Sequence, residues 1–84
     1  MDVKLTAREW GKEIENKFIL FFELFNDEYE LRAYSKVHNN YITLFIEPIG
    51  EIDLEDEDII ISIKSALNMA ARGCPYEYEY RIAK

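Results

Sequence analysis

Cysteine occurs once, at Cys74, so the chain cannot form an internal disulfide, and a reducing compartment suits it best. With no second cysteine nearby, Cys74 also lacks the thiolate cluster that a structural zinc requires, and it reads as a small buried filler between Gly73 and Pro75. Histidine is equally scarce. His38, the one copy, falls beside Asn39 and Asn40 in an expected hairpin tip, where a Ser-His-Asp or Cys-His arrangement would have to be built around a loop. The three glycines, Gly11, Gly50 and Gly73, lie too far apart to cradle a phosphate. Long apolar runs are missing too: Phe18 to Phe22 and Ile59 to Ile61 fall far short of the roughly 18 residues that a bilayer span needs. The opening Met1-Asp2-Val3-Lys4 leads into a helix pattern without the apolar stretch and cleavage site of a secretory leader, so a cytoplasmic location is expected. This inventory supports no cofactor and no catalysis.

What is present is enough apolar material, 49% of 84 residues, to pack a single core, and one domain over residues 1–84 is expected. Charge is the distinctive feature. Seven acids, Glu47, Glu51, Asp53, Glu55, Asp56, Glu57 and Asp58, follow one another with no base between them, and the remaining acids and bases balance. The segment therefore equals the whole net charge of −7. A negative field this local repels nucleic acid and lipid headgroups and favours a basic protein surface as partner.

The spacing of Trp10, Ile14, Phe18, Phe21, Phe22 and Phe25 predicts an amphipathic helix over Leu5–Phe25. Thr6 with Glu9 fits a capping box, and Leu5 with Trp10 fits a hydrophobic staple, which places the N-cap at Thr6. Leu20 and Leu24 fall beside this stripe and Ile19 lies nearly opposite Trp10, so the second half is apolar over too much of its girth for one buried face. Those residues touch loops or a second helix, or they form a dimer or partner surface. Residues Tyr29–Val37 and Tyr41–Ile49 alternate as strands around a turn at Asn39-Asn40. A two-residue loop there sets Val37/Ile42, Ser35/Leu44, Ala33/Ile46 and Leu31/Pro48 on one face, and His38/Tyr41, Lys36/Thr43, Tyr34/Phe45 and Arg32/Glu47 on the other. Pro48 belongs at a strand end or edge. Small Ala33 and Ser35 leave room for a helix to approach.

Ile59, Ile63, Ala66, Leu67 and Ala70 mark a second helix, with acids in its first turn, Arg72 in its last, and Gly73 and Pro75 stopping it. Tyr76, Tyr78, Tyr80 and Ile82 then alternate as a final strand. The expected fold is α+β with element order αββαβ: a three-stranded antiparallel sheet of strand order 2-1-3 with both helices on one face.

Asp53, Glu55 and Glu57 superficially match the start of a calcium loop, but Asp58 replaces the required glycine and Lys64 the bidentate glutamate. The acidic segment is then either a solvated, dipole-favourable helix start or a surface that offers carboxylates to a basic groove, as phosphates do. Tyr34, Tyr41 and Phe45, on the sheet face away from the helices, either extend that surface or simply shield the sheet. Homodimer contacts are expected at Leu20 and Leu24 or along the Tyr76–Ile82 edge strand. In size, acidity and lack of catalytic residues the chain resembles the small inhibitors that bacteriophages and plasmids use against host nucleases, restriction systems and CRISPR systems. That likeness is one of general character over the whole length, carried by no motif. It implies an inhibitor of anti-CRISPR type that occupies a nucleic-acid-binding surface. The alternative is a non-catalytic structural or regulatory homo-oligomer whose acids serve solubility.

Overall fold

The computed structural model describes residues 4–83; Met1, Asp2 and Val3, on which the expectation about a secretory leader partly rests, lie outside them. Helix α1 spans Ala7–Phe25, strands β1 and β2 span Glu30–His38 and Tyr41–Ile49, helix α2 spans Glu57–Ala70 and strand β3 spans Tyr78–Ile82. The order αββαβ and the α+β class are as expected.

Helix α1 begins where the capping box requires. Thr6 Oγ1 accepts from the Glu9 N–H at 3.2 Å, and the Glu9 carboxylate accepts from the Thr6 N–H at 3.0 Å. These bonds to Thr6 favour the ionised carboxylate and hold the Glu9 carboxyl below the usual glutamate range. Ile14, Phe18 and Phe22 are buried on the inward face, Trp10 and Phe21 are half-buried, and Phe25, expected in the same stripe, is exposed at the helix end.

The hairpin has the expected register throughout, from Glu30 opposite Ile49 to His38 opposite Tyr41. Asn39 and Asn40 carry φ of 50° and 62°, the two left-handed residues of a type I′ turn, whose twist matches the flanking strands. The strand order differs from expectation. It is β1-β2-β3, with β2 central and β3 parallel to β2, so the sheet is mixed, not antiparallel with order 2-1-3. The crossover through α2 does return the chain parallel to β2, but β3 seats against β2 itself and not against β1. Two causes favour the observed order. Central β2 contributes Ile42, Leu44 and Ile46, all at most 1% exposed, whereas β1 offers only Ala33, Ser35 and Val37 in the same rows. The outer edge of β1 is also blocked at one point, because Glu15 of α1 accepts from the outward Ser35 N–H at 3.0 Å and from Ser35 Oγ at 2.6 Å. Pro48, near the end of β2, lies beyond the last β2–β3 partner, Ile82, so its missing N–H interrupts no ladder there.

Helix α2 buries Ile59, Ile63, Ala66, Leu67 and Ala70 as its spacing predicts. Asp56 is its N-cap, Ala71 its C-cap, and Arg72 stands just beyond the helix instead of in its last turn. Both helices and one face of the sheet share a single core.

Candidate partner-binding surface

All seven carboxylates of the Glu47–Asp58 segment are exposed. Two of them also organise the backbone. Asp53 Oδ1 accepts from the Glu55 N–H at 3.0 Å, and Asp56 Oδ1 accepts from the Asp58 N–H at 2.8 Å as the cap of α2. The other five, Glu47, Glu51, Glu55, Glu57 and Asp58, have no ion-pair or hydrogen-bond partner among the described residues, and the ion pairs found there are Lys12–Glu15, Lys17–Glu13 and Arg81–Glu79. Arg32 faces Glu47 across the hairpin without forming such a pair. The segment's negative charge is thus left to solvent or to another molecule.

The fold adds acids that the linear run did not reveal. The turn after α1 brings Asp27 and Glu28 to the start of α2, where they line a groove of about 440 Å³ with Asp56 and Asp58. Phe25, half-exposed, and Ile61, 61% exposed, supply apolar wall to the same groove. A second hollow continues from it along α1, lined by Leu20, Glu23, Leu24, Asp27, Tyr29 and Glu30. Leu20 and Leu24 are 63% and 78% exposed, so they contact neither the loops nor α2 closely enough to be covered. Apolar side chains rimmed by carboxylates are suited to a protein surface whose cations alternate with apolar groups.

The aromatic part of the expected site lies elsewhere. Tyr34 and Phe45 stack on the uncovered sheet face with centroids 5.2 Å apart, and Lys36 Nζ sits 5.7 Å from the Phe45 centroid. Tyr41 shares this face, and its hydroxyl is pushed up from the ordinary tyrosine range, first by partial desolvation and then by the neighbouring Glu79 carboxylate. Arg32, Lys36 and Arg81 interleave with these rings, and of the seven acids only Glu47 joins them. The structure therefore divides the expected site: Asp56 and Asp58 gather with Asp27 and Glu28, while Tyr34, Tyr41 and Phe45 form a separate, mixed-charge face.

His38 is exposed at the hairpin, with Asn39 Nδ2 at 3.3 Å from its Nε2. Cys74 packs against the core but is half-buried and not fully buried as expected, and its thiol donates to the Tyr76 carbonyl at 3.6 Å. Among the described residues, no three carboxylate, imidazole or thiol groups converge as a metal site, and no helix is long and apolar enough to cross a membrane. No protein-family model, no curated protein and no solved structure matches the chain.

Proposed function

We propose that this protein is a non-catalytic acidic binding module, an inhibitor that occupies the basic, nucleic-acid-binding surface of a partner protein, as anti-CRISPR and other phage anti-defence proteins do. The observation that carries this reading is the lack of internal neutralisation. Five carboxylates of the Glu47–Asp58 segment have no partner among the described residues, and Asp27 and Glu28 extend the field around a groove with apolar walls. Arginine and lysine recognise carboxylates and phosphates by the same charge-assisted bonds, so a groove shaped for nucleic acid accepts such a surface. Nucleic acid itself is repelled by it.

The test begins with the partner that co-purifies from the native host. Asp56→Asn, Glu57→Gln and Asp58→Asn together retain the capping acceptor at Asp56 and remove three charges. Affinity for that partner is expected to fall by about tenfold or more, with a weaker dependence on salt. The unaltered protein should also displace nucleic acid from the partner. Undiminished binding by the triple variant would refute the reading.

A second reading, a structural or regulatory homo-oligomer whose acids only confer solubility, is favoured by the exposure of Leu20 and Leu24. It requires Leu24→Glu to lower the molecular mass in solution.

A further inference from the structure

The two edges of the sheet are unequal. On β1 the outward Ser35 N–H is capped by Glu15. On β3 the alternation of main-chain groups is fixed by two bonds, Ile42 N–H to the Glu77 carbonyl at 2.9 Å and Ala83 N–H to the Ile46 carbonyl at 2.8 Å. Residues Glu77, Glu79, Arg81 and Ala83 thus turn their peptide groups towards β2, and Tyr78, Tyr80 and Ile82 turn theirs outward. No hydrogen bond to those outward groups is found among the described residues, and the side chains of Tyr78, Tyr80 and Ile82 are only half-buried.

We propose that this free edge is a homodimer seam, in which β3 pairs antiparallel with β3 of a second copy about a twofold axis at Tyr80. The occupant is a second copy because the strand is complementary to itself in charge. With Tyr80 opposite its own equivalent, Tyr78 meets Ile82 of the second copy, and Glu79 meets the second copy's Arg81 on the uncovered face. Glu79 and Arg81 already form a 3.2 Å ion pair within the chain. The dimer joins two such pairs into a two-by-two cluster of four charges in which each charge has opposite charges as neighbours along and across the strands. The same register places the outward peptide groups of Tyr78, Tyr80 and Ile82 directly opposite one another, so every free donor and acceptor on the edge finds a partner. A shift by one residue would set Glu79 or Arg81 against an uncharged partner and lose this match. The arrangement goes beyond binding a basic partner, and it joins two three-stranded sheets into one of six strands. Antiparallel pairing also sends the two acidic segments, which follow the β2 end beside Ile82, towards opposite ends of the seam, so they do not oppose association.

Sedimentation equilibrium and amide exchange test the seam on the unaltered chain. As concentration rises to about 1 mM, the mass should approach twice 10.0 kDa, and the amides of Tyr78, Tyr80 and Ile82 should slow by about tenfold or more while other exposed amides do not. A chain that stays monomeric, or edge amides indifferent to concentration, overturns the proposal. Glu79→Arg alone and Arg81→Glu alone should each weaken the dimer by about tenfold, since each sets like charges opposite, and the double exchange should restore it to within about threefold. Failure of the double exchange to restore association in a folded chain, judged by circular dichroism, overturns it as well. Leu24→Glu should leave the dimer intact; dissociation by that change would place the interface on α1 instead.

Discussion

Gly11 marks the point where α1 crosses β1, and the contact leaves no space for a side chain. A methyl group there would lie 2.7 Å from Ser35 Oγ and 3.1 Å from Ser35 Cβ. The hydroxyl cannot swing aside freely, because it donates to Glu15 at 2.6 Å and that carboxylate also holds the Ser35 N–H. Alanine at position 11 would gain about 1 kcal/mol of helix propensity, but forcing the helix off the strand costs about 1–3 kcal/mol. Gly11→Ala is therefore expected to lower stability by up to about 2 kcal/mol in urea unfolding. A more stable variant would show that α1 rides less tightly on β1 than these distances require. The small residues on β1 reveal from sequence that something approaches closely; which helix residue meets them does not follow from periodicity, since Gly11 contributes nothing to an apolar pattern.

At the scale of elements, the hairpin was the most legible part of the chain. Its alternation, its two-residue loop and the opposed Arg32 and Glu47 all favour one register, and a slip of one residue would turn Ile42, Leu44 and Ile46 to solvent. Asn39 and Asn40 tolerate positive φ, but glycine does so without a Cβ cost. Asn40→Gly is accordingly expected to stabilise the chain by about 0.5 kcal/mol, read as a rise in the thermal midpoint. A fall would mean that Asn40 makes contacts through its side chain that the turn type does not demand. The place of β3 was not legible, because Tyr78, Tyr80 and Ile82 alternate equally well beside either strand. What decides it is long-range: the bond from Glu15 to the β1 edge and the greater apolar content of β2. The candidate site shows the same limit. Its acidic run is plain in one dimension, yet Asp27 and Glu28 join Asp56 and Asp58 only because the end of α1 packs beside the start of α2.

For the molecule as a whole, the Cα extents of 41 × 24 × 17 Å describe two layers, helices over sheet, with the acidic segment at their margin. A net charge of −7 on so small a body should weaken folding through self-repulsion. The three ion pairs described are all at least partly exposed and offset little of it. Acids at Asp56, Glu57 and Asp58 gain from the helix dipole, so they are poor probes of this repulsion. Glu51 and Glu55 precede the helix and lack partners, and are better ones. Glu51→Gln with Glu55→Gln is expected to raise the thermal midpoint by about 2–5 °C near 10 mM salt, where the screening length is about 30 Å and exceeds the width of the molecule. By about 200 mM that length falls below about 8 Å and the gain should largely vanish. A double variant no more stable than the parent at low salt would mean that these carboxylates do not repel one another, and that the field offered to a basic partner is weaker than their exposure implies. A gain that fades with salt would instead measure the stability the fold forgoes to keep that charge available for binding.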